Sequence, residues 1–348
     1  ANRIVIAPMC QYSALDGLAA DWHLMHWGNL LNGGAGLFII EATGVLPEGR
    51  ISPGCLGLWD DATEAAMGDT LHRARALAPT TPVCIQLSHA GRKASSAAPW
   101  HGGQQLTKAQ GGWEAFGPSA LPHLPHETPP TAMPPDYLIQ VREAFVAAAR
   151  RAQRIGVDAV ELHAAHGYLL HQFLSPLANQ RTDAYGGNFE NRIRYVMEVF
   201  AAVRQGFQGS LGVRLSATDW VDGGWDIAQS EVLAQRLKAA GCDFIHVSSA
   251  GVSSLQKIAV GPNFQVPFAQ QIRAASGMAT LAVGMITEAR QAEAILQAGD
   301  ADLIALARAF LYQPRWGWQA AAALGGTVTA REAYWRCLPR EAQAIFGK

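Results

Sequence analysis

Two imidazoles and a phenol stand within six residues, at His163, His166 and Tyr168, in the stretch Glu161-Leu162-His163-Ala164-Ala165-His166-Gly167-Tyr168. Histidine N–H groups donate hydrogen bonds and a tyrosine hydroxyl carries a transferable proton, so the three suit a grip on one oxygen with protonation of an atom nearby. The spacing sets a condition. On a strand, residues three apart face opposite ways, so the histidines serve one site only if the strand stops near His163 and the chain turns, which Gly167 favours.

The short apolar run over 158–162 reads as that strand, and seven more like it are predicted over 4–10, 36–42, 82–88, 211–216, 244–249, 280–284 and 302–307. None alternates polar with apolar residues, the mark of strands covered on both faces in a parallel sheet. Helical patterns fall between them over 23–31, 61–78, 137–155, 189–206, 227–240 and 266–275, and another opens with Thr287 as its N-cap. Eight strands alternating with helices predict a single (β/α)8 barrel spanning the chain. A doubly wound open sheet would carry a glycine-rich fingerprint after its first strand, and Pro8-Met9-Cys10-Gln11-Tyr12 is nothing like one. Residues 93–135 form a long insertion after strand three, rich in Gly, Pro, Ala and His and without periodicity, as in a functional lid or a disordered segment. Residues 323–348 read as a tail.

The 348 residues are 49% hydrophobic and 16% charged, with a formal net charge of -1. A chain so nearly neutral, with no dense Lys/Arg run, argues against nucleic acid or an anionic membrane as partner and for a small-molecule ligand. Five scattered cysteines without a C-x-x-C pair suit a reduced, cytoplasmic protein. No apolar run approaches the ~20 residues of a membrane span, and no signal-peptide pattern is present. The sequence opens at Ala1-Asn2-Arg3 without an initiator Met and almost directly in a strand, which fits truncation or processing at its start.

Barrel active sites lie at the C-terminal strand ends. Those ends offer Met9, Cys10 and Tyr12, Ala42, Gln86, the His163-His166-Tyr168 group, Arg214, Ser249, Gly284, and Ala307 with Arg308. Gly284 lets backbone N–H groups approach an anion, the following helix N-terminus favours it, and Arg308 adds a fixed charge, so a phosphorylated ligand is expected there. A Schiff-base chemistry needs a buried lysine, and Lys93, Lys108, Lys238, Lys257 and Lys348 all fall outside the strands. Metal is not expected, because the other strand ends lack further ligand types. A metal-dependent hydrolase built on His163, His166 and Glu161 is the rival, with Glu161 expected to point away from His163. Gln86 for an amide-like edge and Arg214 for negative charge on a ring fit a flavin mononucleotide, FMN.

The set Pro8-Met9-Cys10-Gln11-Tyr12, Asp21-Trp22-His23, Glu41-Ala42-Thr43, Pro47-Glu48-Gly49-Arg50, Gln86 through Lys93, His163 through Tyr168 and Arg181 through Gly187 resembles the old yellow enzyme family, more narrowly its bacterial, xenobiotic-reductase-like branch. The resemblance implies an FMN-dependent ene-reductase, with NADPH as reductant and NADH as an alternative. It places FMN against Ala7, Pro8, Met9, Cys10, Ala42, Gln86, Arg214, Gly284, Ala307 and Arg308. His163 and His166 would hold the carbonyl or nitro oxygen of an enone or nitro substrate, and Tyr12 would line the pocket. Hydride would pass from flavin N5 to the β-carbon, with Tyr168 protonating the α-carbon. Arg336 resembles a tail arginine that enters a partner subunit's site, implying a homodimer or higher homo-oligomer, although Cys337-Leu338 stand where relatives often carry Gly-Trp. Cys10, beside such a ring, would adjust its potential. His89, Arg92 and Lys93 suit either ligand contact or loop support, the 181–187 run reads as a rigid turn beside the site, and Trp100 and Trp113 as covers over a pocket.

Overall fold

A computed structural model of the chain describes residues 2–78, 81–338, 340–342 and 344–346; Ala1 and Lys348 lie outside them. Eight parallel strands close into a barrel in sequence order: β1 (Ile4–Ile6), β2 (Leu37–Gly44), β3 (Val83–Ser88), β4 (Ala159–Ala164), β5 (Ser210–Ser216), β6 (Phe244–Ser248), β7 (Ala279–Ala282) and β8 (Leu303–Leu306), which returns to β1. Their outward residues pack under α1 (Asp21–Leu31), α2 (Asp61–Leu77), α3 (Pro135–Arg154), α5 (Phe189–Gly206), α6 (Ile227–Ala239), α7 (Val266–Ser276) and α8 (Ala289–Ala298). The floor inside the barrel is a separate apolar cluster that includes Val5, Ile39, Cys84, Ala159, Phe244, Leu281 and Ala305. Opposite Phe244 stands Gly212, where a Cβ would lie 2.2 Å from the ring, so the smallest residue makes room for the largest.

The predicted barrel is present, with three local differences. Strand one stops at Ile6, since Pro8 has no N–H for the ladder and Gln11 N–H goes to the Glu41 carboxylate at 2.8 Å instead. The helix after β7 begins at Ala289 with Glu288 as its cap, since the left-handed residues Gly284 (φ +111) and Met285 (φ +53) lengthen the turn before it and Thr287 N–H donates to Gln291 Oε1 at 2.9 Å. A six-residue helix, α4 (Leu169–Leu174), follows Tyr168 immediately; all six of its residues are buried. Helices α9 (Arg308–Tyr312) and α10 (Trp316–Leu324) complete the chain before the tail.

The insertion is ordered. A two-stranded ladder joins Phe116–Gly117 to Thr131–Ala132, and Arg181 clamps both ends of it, donating to the Pro118 (3.0 Å) and Met133 (2.8 Å) carbonyls. The turn over 181–187 is therefore structural support for the insertion. Trp113 donates to the Glu48 carbonyl at 2.9 Å and fastens the insertion to the loop after β2, whereas Trp100, 63% exposed, meets Tyr12 edge-on at 5.5 Å.

One glycine pair decides how the β4 loop meets the β6 loop. At Gly167 (φ +73) a Cβ would lie 2.1 Å from the Gly251 carbonyl oxygen, whereas at Gly187 (φ +83) it would meet nothing within 4 Å. Gly187→Ala should cost only the left-handed penalty, about 1–2 kcal/mol, and Gly167→Ala measurably more, because backbone has to shift. Denaturant midpoints of the two variants at equal FMN check this ranking; equal losses would remove the close approach as a constraint.

Candidate active site

His163 lies on the strand, and the turn comes after it. Ala165 N–H donates to His163 Nδ1 (3.3 Å), which puts the ring proton on Nε2, and at His166 the backbone enters the left-handed region (φ +57), followed by Gly167. The turn swings His166 back beside His163: ring centroids are 5.2 Å apart and nearly perpendicular, and Tyr168 stands 4.9 Å from His163, again edge-on. All three predicted residues meet at the top of β4. Their protonation states follow from burial. Desolvation, reinforced by the Arg214 charge, holds both imidazoles well below the usual histidine range, so they are neutral, and desolvation holds the Tyr168 phenol well above its usual value, so it keeps its proton.

A strained non-glycine backbone persists only where its surroundings over-determine it. His166 N–H donates to Ser216 Oγ (2.9 Å), its carbonyl accepts from Lys93 Nζ (2.9 Å), and its Nε2 is 2.7 Å from Ser248 Oγ. Lys93 also reaches the Gly251 carbonyl (3.2 Å) and lies 5.0 Å from the Tyr168 ring centre, so its role is loop support together with a cation over the phenol. From below, α4 fixes the turn. Gly167 N–H donates to His171 Nδ1 (2.9 Å), whose Nε2 faces Asp219 at 2.9 Å, and Gln172 Nε2 donates to the Gly167 (2.7 Å) and Ala90 (3.1 Å) carbonyls. Sequence reasoning missed this set; its one signal is a His-Gln pair inside the apolar run Leu169-Leu170-His171-Gln172-Phe173-Leu174.

Glu161 faces the same way as His163, contrary to expectation, because residues two apart on a strand share a face and the strand runs on to Ala164. Its oxygens accept from Gln86 Nε2 (2.6 Å) and meet His246 Nδ1 (2.9 Å), and all three side chains are buried. Burial raises the Glu161 pKa, and His246, Arg214 and Gln86 together outweigh it, so the net direction is down and the carboxylate is ionised. Arg214 pairs in register with His163 on one side and His246 on the other, and its buried Nε has no partner among the described residues. No group of three or more metal-ligating side chains is placed to hold a metal among the described residues.

The remaining expected residues divide between two places. Ala7 tops the barrel floor, while Pro8, Met9, Cys10 and Tyr12 line the extended segment after β1; burial keeps the Cys10 thiol and the Tyr12 phenol protonated. Ala42 lies buried on β2. Gly284, Ala307 and Arg308 line a cavity of about 670 Å³ at the ends of β7 and β8, which the paired histidines do not line. Among the described residues, Arg308 hydrogen-bonds there only weakly, to Met285 Sδ at 3.4 Å. Arg336 is exposed on a tail turn and among the described residues shares no hydrogen bond or ion pair with the histidines or Tyr168.

These features fit FMN. Gln86, with one amide N–H on Glu161, keeps a second N–H and an oxygen acceptor for a ring edge; Arg214 presents a buried Nε–H without a partner among the described residues; and the Gly284–Arg308 cavity presents a cation and a glycine turn for a phosphate. Residues 1–325 match the model of the NADH:flavin oxidoreductase / NADH oxidase family. The chain belongs to that family. An NADPH dehydrogenase of Halalkalibacterium halodurans is 41% identical over 335 residues, covering 96% of this chain and 94% of the relative. An NADH:flavin oxidoreductase of Gibberella zeae is 43% identical over 335 residues, covering 90% and 80%. Among solved structures, morphinone reductase in complex with tetrahydroNAD superimposes with a TM-score of 0.75 at 27% identity over 100% of this chain and 91% of that one. The old yellow enzyme homologue from Zymomonas mobilis gives 0.73 at 26%, covering 99% and 95%. The resemblance read from the motifs is borne out: this member of the family is an FMN-dependent oxidoreductase of the old yellow enzyme type, with NADH or NADPH as reductant.

Burial also sets the acid response. His23 and His26 are pushed down to about 4 and His89 to about 3, each chiefly by desolvation, and His163 and His166 fall the same way. Between pH 6.5 and 4 the unfolded chain therefore binds more protons at these five groups, and stability falls as pH falls. Glu41, raised to about 8 by burial, acts oppositely between 4.5 and 8, against these five and against His123, pushed down to about 4, and His246, both lowered chiefly by burial. Urea midpoints from pH 7 to 4 should drop steadily, and His26→Gln should reduce the slope by up to ~1.4 kcal/mol per pH unit. An unchanged slope would mean that His26 titrates normally in the fold.

Proposed function

We propose that this protein reduces the activated C=C bond of α,β-unsaturated carbonyl compounds, with nitro compounds as a second substrate class and NADPH as the preferred reductant. The observation that carries the reading is the convergence of two neutral imidazoles and a protonated phenol at one strand end. A carbonyl or nitro oxygen bound by N–H donors from His163 and His166 loses electron density to them, which makes the β-carbon electrophilic; this grip strengthens as negative charge develops on the oxygen. Tyr168, too weak an acid to ionise at neutral pH, holds a proton for the α-carbon and gives it up as the carbanion character there grows. Lys93, over the face of the phenol, stabilises the tyrosinate left behind.

FMN would be held by Ala7, Pro8, Met9, Cys10, Ala42, Gln86 and Arg214 along its ring and by Gly284, Ala307 and Arg308 at its phosphate. The chemistry it supplies when bound is two-electron carriage from the nicotinamide to the β-carbon. Tyr12, in edge contact with Trp100, would line the substrate side, and Arg336 would reach a partner's site in a homodimer. Five free cysteines, three of them buried, suit a reducing cytoplasm, and no helix among the described residues is long and apolar enough to cross a membrane.

The visible spectrum tests the reading: anaerobic NADPH should bleach the flavin band and cyclohexenone should restore it. Tyr168→Phe should slow the second step about 100-fold or more and leave the first unchanged. Equal loss in both steps would remove Tyr168 as the proton donor, and a reduced enzyme that cyclohexenone cannot reoxidise would overturn the proposed substrate class.

A further inference from the structure

A neutral imidazole has one N–H, so a pair of histidines can donate two hydrogen bonds to one oxygen only if each ring carries its proton on the free nitrogen. His163 meets that condition through its own backbone: Ala165 N–H occupies Nδ1 and leaves Nε2–H free. His166 has no such backbone partner. Its Nε2 lies 2.7 Å from Ser248 Oγ, and a hydroxyl can either donate to that nitrogen or accept from it. In the second case Nδ1 would be bare, and its lone pair would face the very oxygen the site is meant to hold.

The hydroxyl's surroundings decide between the two. Among the described residues the other acceptor that Ser248 Oγ meets is Gln265 Oε1, at 3.5 Å, well beyond the 2.7–2.8 Å usual for O–H···O. That oxygen already accepts from Ser249 Oγ at 2.6 Å, and the Gln265 amide cannot turn, because its Nε2 donates to the Val283 carbonyl at 3.0 Å. The proton of Ser248 therefore has one good destination. We propose that Ser248 is a positioning residue that sets the tautomer of His166: its hydroxyl donates to Nε2, the ring proton stands on Nδ1, and the two clamp histidines carry opposite tautomers. Gln265 ties this device to the phosphate end of the site, since a Cβ at Gly284 would lie 2.4 Å from Gln265 Nε2.

The inference rests on the clamp reading, and its test separates the two. In the holoenzyme labelled with 15N-histidine, long-range 1H–15N spectra report which ring nitrogen is protonated, with His163 and His166 assigned by single Gln variants. The wild type should show Nε2–H at His163 and Nδ1–H at His166. Ser248→Ala should move His166 to Nε2–H or to a mixture, and Ser248→Thr, which keeps the hydroxyl, should restore Nδ1–H. Cyclohexanone, a carbonyl without a reducible double bond, should bind about tenfold more weakly to Ser248→Ala and within about twofold of wild type to Ser248→Thr, read by flavin absorbance. Nε2–H at His166 in the wild type, or a tautomer indifferent to Ser248→Ala, would overturn the assignment. If the tautomer moves as expected while cyclohexanone affinity stays constant, the assignment stands and the two-histidine clamp falls.

Discussion

Glu161 puts a full negative charge inside a barrel whose floor is Val, Ile, Cys, Ala, Phe and Leu, and the mouth of the molecule is arranged around that fact. A buried carboxylate without partners would neutralise itself; this one is held ionised by His246, Arg214 and Gln86. In meeting its needs the three partners acquire fixed orientations. Gln86 is anchored by one of its two amide N–H groups, and Arg214 lies where its Nε–H has no acceptor among the described residues. The same positive charge then acts on the next layer up, where it adds to burial in keeping His163 and His166 neutral. Charges lie below and neutral donors above, a division that lets a polar ring be held on one side and an uncharged oxygen be gripped on the other.

The second requirement is mechanical. Residues three apart on a strand cannot share a target, and the chain solves this by turning through two successive left-handed residues, His166 and Gly167. A glycine accepts that conformation freely; a histidine does so at a cost of about 1–3 kcal/mol. The contacts that offset it come from four separate segments: Lys93 after β3, Ser216 on β5, Ser248 on β6 and the buried face of α4. Because each segment hangs from a different barrel strand, the contacts that hold the turn are complete only in the closed barrel, and they hold the imidazoles without a ligand.

Much of this was legible in the sequence because barrel strands advertise themselves as unbroken apolar runs, and because helices such as 189–206 carry a clear period. The turn at His166 could be demanded from spacing alone. What escaped notice lies below the resolution of such patterns. A six-residue helix has too few turns for periodicity, so the run containing His171 and Gln172 read as more apolar chain. The apolar run ends at Ser249 in sequence, yet β6 ends at Ser248 and Ser248 is the one that meets His166; one residue reverses the face of a strand. Glu161 comes to the His163 side because β4 runs on to Ala164, an extension that the apolar run ending at Leu162 does not show. The placement of Lys93 beneath a carbonyl 73 positions away is a product of closure, and no local signal encodes it.

The insertion over 93–135 touches the chemistry through Lys93, on the His166 carbonyl and over the Tyr168 ring, through Ala94 and Ala115, in the apolar cluster against which Tyr168 packs, and through Trp100, which stands against Tyr12; Arg181 and Trp113 fasten the rest of it. One continuous segment thus both braces the Tyr168 phenol and meets Tyr12, so that divergence within it bears on the proton donor as well as on the residues around it.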